Sequence, residues 1–171
     1  MVNIKLVRAE KAEFDFIYDA MEDSFPVEER RDKAAAMNVL SEPQFSIWHT
    51  EENGKKVGFI TLWELDGFTF VEHFVTYKQY RGQGYGSKVL ELLKEKKNIV
   101  LEVELPETEI AVRRIGFYER CGFSQNDYPY AQPSYREGGK SVDMILMSYP
   151  EPLKEPDSVV DELYRKVYKC K

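Results

Sequence analysis

One stretch constrains this chain more than any other: Tyr80-Arg81-Gly82-Gln83-Gly84-Tyr85-Gly86. It follows an alternating run over 68–76. It precedes Val89, Leu90 and Leu93, whose spacing from Gly86 is that of an amphipathic helix. A strand, a glycine-rich turn and a helix are predicted in that order. Glycines carry no Cβ, so successive backbone N–H groups can turn toward one point. The turn opens onto a helix N-terminus, where unpaired N–H groups and the dipole favour an anion, and Arg81 adds a cation. Together these read as a pyrophosphate cradle. The bland alternative is a tight strand-to-helix turn.

Spacing narrows the kind of cradle. A Walker A loop ends in Gly-Lys-Ser/Thr, whereas here Gly86 is followed by Ser87-Lys88, the reverse order. A dinucleotide fingerprint needs G-x-G-x-x-G, and these glycines run G-x-G-x-G. The loop also follows an antiparallel meander rather than a first parallel strand. Both nucleotide readings are disfavoured.

The meander is predicted from turn chemistry. Asn53-Gly54 and Asp66-Gly67 are two-residue hairpin signals between alternating runs over 44–50, 56–64 and 68–76. Before them come a strand over 3–8 and a helix carrying Phe14, Ile17, Tyr18 and Met21. A second helix is expected over 27–40, with Pro26 near its start. After the glycine loop come a strand over 99–105 and a helix over 109–121. Thr108 would cap that helix and Gly122 would end it; Ile110, Phe117 and Cys121 would form its apolar side. Two strands, 123–128 and 141–149, are joined by a long loop over 129–140. A prolyl segment and a short helix with Ser158 and Asp161 at capping-box spacing close the chain. The domain would cover 1–149, with 150–171 as a C-terminal extension.

Composition excludes several classes. The chain has 171 residues and a formal charge of −6, a poor match to nucleic acid or an anionic membrane. Its longest apolar runs, Ala34 to Met37 and Met144 to Met147, are too short for a membrane span. Cys121 and Cys170 form no disulfide framework, and with His49 and His73 they make no spaced zinc set, so no metal is expected. A cytoplasmic, reduced protein is the expectation. Its 11 Tyr and 10 Phe are an aromatic excess.

At this point the sequence resembles the GCN5-related N-acetyltransferase (GNAT) superfamily. Arg81-x-x-Gly84-x-Gly86 follows that family's acyl-CoA loop, and Tyr118-x-x-x-Gly122-Phe123 follows its second hallmark. The motifs span 68–123, and the element order resembles the family over about 2–149. The resemblance implies an α/β (α+β) fold: a mixed sheet of about seven strands, splayed between strands 4 and 5, with helices on both faces. It also implies a direct acetyl transfer from acetyl-CoA to a primary amine of a small acceptor, and a possible homodimer. A non-catalytic acyl-CoA-binding or regulatory module on the same fold is the alternative.

By that resemblance, Arg81, Gly82, Gln83, Gly84, Tyr85, Gly86 and Ser87 would hold the pyrophosphate. The strand edge at Phe74, Val75 and Thr76 would pair with the pantetheine. Tyr118 would donate to the leaving thiolate. Glu72 is the candidate base. Strand parity puts it among Phe68, Phe70 and Phe74, where burial would raise its pKa, with His73 on the opposite face. The family's base usually lies two residues earlier, where this chain has Phe70, and the usual Asn of the helix is replaced by Ala111. Glu102 and Glu104 are alternative bases or cation ligands. Tyr130 and Tyr135, with Phe25, Glu28, Glu29, Tyr128 and Gln132, would shape the acceptor pocket by cation–π contact and ion pairing. Cys121 reads as packing.

Overall fold

The computed structural model describes residues 2–96 and 98–170. Its strands are β1 (Ile4–Arg8), β2 (Phe45–Glu52), β3 (Lys55–Leu65), β4 (Phe68–Thr76), β5 (Ile99–Glu104), β6 (Ser124–Gln125), β7 (Tyr130–Gln132) and β8 (Val142–Tyr149). Its helices are α1 (Phe14–Ser24), α2 (Lys33–Val39), α3 (Tyr85–Leu93), α4 (Glu109–Arg120) and α5 (Pro156–Glu162). The strands form one mixed sheet in the order β1-β2-β3-β4-β5-β8-β6, with β7 also on β8. All neighbours are antiparallel except β4 and β5.

Two apolar layers cover the sheet. One face packs against α3 and α4 through Val89, Leu90, Leu93, Ile115 and Tyr118, over Leu62, Val71 and Leu101. The other packs against α1 and the C-terminal segment through Phe14, Ile17, Tyr18, Met21, Leu163 and Val167, over Trp63, Phe70 and Leu146. Alternation along β5 feeds both layers, with Ile99, Leu101 and Val103 on the first and Val100 on the second. Leu163 and Val167 thus pack the C-terminal segment onto the sheet.

β4 and β5 pair over three rungs, Thr69–Ile99, Phe70–Val100 and Val71–Leu101. β4 then continues to Thr76 and β5 to Glu104 without a shared register, so the sheet opens there into a V. This is the expected splay.

Several local expectations are corrected. The long helix over 27–40 is a 3-10 turn, Val27–Glu29, followed by the shorter α2. Arg30 lies between them in extended backbone (φ −148°, ψ 154°), and Asp32 caps α2 through the Ala35 N–H at 2.8 Å. At the second hairpin only Gly67 has a positive φ, +84°, so this turn differs from the Asn53-Gly54 turn, where both do. The loop over 129–140 contributes β7, and the strand expected over 123–128 shortens to β6. Ile110 is 67% exposed, because the buried stripe of α4 is Ala111, Ile115 and Tyr118. The expected capping box gives way to Pro156 in the first turn of α5.

Candidate active site

The V between β4 and β5 is the wall of a cleft of about 910 Å³. The glycine loop forms one end. Gly82 and Gly84 adopt φ of +75° and +83°, and a Cβ at either would meet nothing within 4 Å. They are needed for their backbone conformation, and the space above them is open to a ligand. Gly84 is the N-cap of α3, so the first N–H groups of that helix point into the same space. Gly86 is needed for a different reason. A Cβ there would lie 3.1 Å from the Phe117 ring and 3.7 Å from Phe74. Arg81 folds its Nε onto the Thr76 carbonyl at 3.1 Å, joining the loop to the end of β4.

Of the residues expected at this end, Phe74, Val75, Thr76, Arg81, Gly82, Gly84, Tyr85, Gly86 and Ser87 line the cleft. The Gln83 side chain instead donates to the Gln79 carbonyl at 3.2 Å. The cradle and the open strand edge are what a diphosphate joined to an extended amide chain requires.

Tyr118 faces the cleft from α4. Thr108 caps that helix at 3.1 Å to the Ala111 N–H, and Gly122 ends it at φ +95°. Tyr118 falls three residues after Ile115 on the buried stripe and packs edge-on to Phe123 with centroids 5.8 Å apart. Burial pushes its phenol up to about 12, and among the described residues no hydrogen bond engages its hydroxyl. It is held protonated and is free to donate.

Glu72 is the main correction. The β3–β4 register slips between Thr61 and Leu62, which pair with His73 and Val71, so Glu72 is the extra residue of a β-bulge. The bulge resets strand parity. Phe70 and Val75 belong to one layer, Val71 and Phe74 to the other. Phe74 therefore does not flank Glu72. His73 does not lie opposite it either: the imidazole packs on Phe25 and Tyr135, on the Arg31 side of the sheet. The Glu72 side chain is 0% exposed. It accepts from Trp63 Nε1 at 2.7 Å, Arg31 Nη1 at 2.6 Å and Tyr135 Oη at 2.7 Å. Burial alone would raise its pKa. The Arg31 charge and these donors outweigh that and hold the carboxyl below the ordinary range, the reverse of the expected direction. His73 is pushed down by burial and holds the Glu29 carbonyl at 3.0 Å through Nε2.

Glu102 and Glu104 both line the cleft. Glu102 accepts from Tyr130 Oη at 2.6 Å, from Tyr168 Oη and from Gln132 Nε2 at 3.4 Å. All three donors are neutral, so burial dominates and lifts its carboxyl to about 7. Glu104 meets Arg114 at 3.5 Å, and Glu29 opposite it is pushed up to about 7, first by burial and then by Glu104. Tyr130 and Tyr135 reach the site through carboxylates, as donors to Glu102 and Glu72, rather than as cleft lining. Cys121 is buried, with its thiol pushed up, and is suited to packing.

Three residues of the site escaped sequence reasoning. Arg31 sits in Glu-Glu-Arg-Arg-Asp, which looks like a solvated charge run. Trp63 looks like ordinary strand core. Tyr168 lies 66 residues from Glu102, in a tail whose legible signals, its prolines and the Ser158 and Asp161 spacing, say nothing of Tyr168.

Comparison with known proteins bears on this geometry. The model of the acetyltransferase (GNAT) domain matches residues 43–125. YjbC of Bacillus subtilis (strain 168), which carries the description acetyltransferase, is 30% identical over 155 residues, spanning 88% of this chain and 78% of its own length. A Bacteroides thetaiotaomicron structure assigned to the same acetyltransferase family superposes at TM-score 0.90 with 34% identity, over 99% of each chain. A Bacillus subtilis acetyltransferase solved in complex with CoA shares the fold at TM-score 0.56 and 14% identity, over 86% of this chain and 97% of that one.

Proposed function

This chain belongs to the GNAT family of acetyltransferases, and on that premise we propose that it transfers the acetyl group of acetyl-CoA directly to a primary amine of a small acceptor. One observation carries the reading. The open edge of β4 runs straight into the glycine loop and the N-terminus of α3, with the unengaged Tyr118 hydroxyl in the same cleft. Arg81, Gly82, Gly84, Tyr85, Gly86 and Ser87 would hold the diphosphate by main-chain N–H groups and one guanidinium. Phe74, Val75 and Thr76 would pair with the amide arm as an added strand. Bound acetyl-CoA supplies an activated thioester.

The chain's own groups then have three tasks. Glu102, open to the cleft and ionising near neutral pH, takes a proton from the acceptor ammonium, so that a neutral nitrogen attacks. Main-chain N–H groups of β4 beyond the bulge stabilise the charge that builds on the carbonyl oxygen. Tyr118 donates a hydrogen bond to the departing sulfur as the C–N bond forms and the C–S bond breaks. The nitrogen's second proton ends on the thiol. With a phenol pKa of about 12, against roughly 8.5 for a thiol, Tyr118 stabilises the thiolate better than it permanently protonates it. Glu72 is a fixed anion that anchors Arg31, Trp63 and Tyr135, and the base role passes to Glu102.

Thiol release from acetyl-CoA across a panel of primary amines tests the reading, with Tyr118→Phe beside the unsubstituted protein. Amine-dependent release that falls in the variant supports it. Protection against thermal unfolding by CoA, without turnover on any amine, supports instead a binding or regulatory module.

A further inference from the structure

The apex of the splay carries a charge imbalance. Glu72 and Glu102 are each the first residue beyond the last β4–β5 rung, Val71–Leu101. Arg31 is the cation paired there, on Glu72, with side chains 10% and 0% exposed. Among the described residues Glu102 receives neutral donors alone, and the Glu72 charge acts on it unfavourably. Two carboxylates thus flank the apex, and the one guanidinium there is paired with Glu72. An uncompensated charge is costly to hold out of water.

A second observation points the same way. Gln132 lines the cleft, is 5% exposed, and spends its Nε2 on Glu102 and on Tyr168 Oη, at 3.4 Å and 3.2 Å. Its Oε1 has no hydrogen-bond partner among the described residues. Buried amide oxygens are rarely left so. A group that satisfied both the Glu102 carboxylate and this oxygen would carry a positive charge and N–H donors.

We propose that the acceptor is a small alkylamine, bound as its ammonium ion between the Glu102 carboxylate and Gln132 Oε1, and carrying no carboxylate beside the nitrogen. The inference rests on the acetyltransferase reading, because it names the substrate class of that cleft. A carboxylate on the carbon next to the nitrogen would be forced against Glu102, with the Arg31 guanidinium already committed to Glu72 and to the Val167 carbonyl at 2.9 Å. Free α-amino acids should therefore bind more weakly than the matching alkylamine. A neutral alcohol of the same shape leaves the charge unbalanced.

Calorimetric titration of the CoA-loaded protein, which cannot turn over, tests this with three matched probes: n-pentylamine, n-pentanol and norleucine. The amine is expected to bind at least about tenfold more tightly than either of the others. Glu102→Gln should erase that preference, and Gln132→Leu should weaken the amine severalfold without affecting the alcohol. CoA protection against unfolding, measured on each variant, verifies that the fold and the loop are intact. An amine that binds no better than n-pentanol to a protein that binds CoA overturns the proposal and leaves the acetyltransferase reading standing. A protein that does not bind CoA overturns both.

Discussion

The Arg31 guanidinium and the Glu72 carboxylate meet at 2.6 Å across 41 residues of chain, both nearly sealed from solvent. The extended backbone at Arg30, between the 3-10 turn and α2, delivers Arg31 to that pair. Removing one partner should cost far more than removing both. Arg31→Met is expected to destabilise by about 3–5 kcal/mol, and Arg31→Met with Glu72→Gln by clearly less. Urea unfolding of both checks this; equal losses would show that the pair carries no buried charge penalty.

The pair also sets an acid limb for stability. The folded Glu72 carboxyl titrates below its unfolded value, so its contribution is present above the unfolded pKa of about 4.5 and is lost as pH falls through the folded one. Glu102 has the opposite sign. Its folded carboxyl is raised to about 7, so folding takes up a proton between the unfolded value and that one, and this contribution fades as pH rises through 7. Glu102→Gln is therefore expected to unfold at a higher temperature than the unsubstituted protein near pH 8. Melting curves across pH decide the point.

The same group predicts a limb in the rate. Below about 7 the Glu102 carboxyl is protonated and cannot accept a proton, so kcat/KM for the amine should fall as pH drops through that value. In Glu102→Gln the limb should move to the pKa of the amine alone. An unchanged profile would remove Glu102 from the chemistry.

Tyr118→Phe should lower kcat by about 10²-fold while leaving acetyl-CoA binding and the melting temperature nearly unchanged, since no hydrogen bond within the described protein is lost. A loss confined to KM would mark the hydroxyl as a binding group.

At the phosphate end, Gly84→Ala meets no neighbouring atom but must hold φ +83°, at a cost of roughly 1–2 kcal/mol in a left-handed conformation. The loop is expected to relax, turn its amides away and lose CoA protection in a thermal shift assay, with the core intact. Gly86→Ala should act differently, through the 3.1 Å contact with Phe117, and cost stability as well.

Local signals carried much of this. The loop, α3, α4 with both caps, and the alternation of β5 follow from spacing and side-chain type, and they place the cradle and Tyr118. Glu102 was legible as an alternative base or cation ligand, though without its environment. What stayed hidden is non-local. A one-residue bulge at Glu72 leaves the alternating pattern of β4 intact in the sequence while reversing which neighbours each side chain meets. The partners that decide the two carboxylates, Arg31 and Tyr168, arrive from far along the chain, and no periodicity reports a single long-range contact.

The parting of β4 from β5 has a bearing on solubility. A bare strand edge on the rim of a sheet is a docking strip for any passing chain and a seed for aggregation. Here the bare edges lie in the middle of the sheet and look at each other across a narrowing gap, with paired strands beyond on both sides. A foreign strand needs width for its own side chains as well as its backbone. Near the apex, the rungs that still close the V deny it that width. The wedge therefore works as a caliper: it leaves main-chain hydrogen-bonding groups on offer to a thin, side-chain-free ribbon and withholds them from polypeptide.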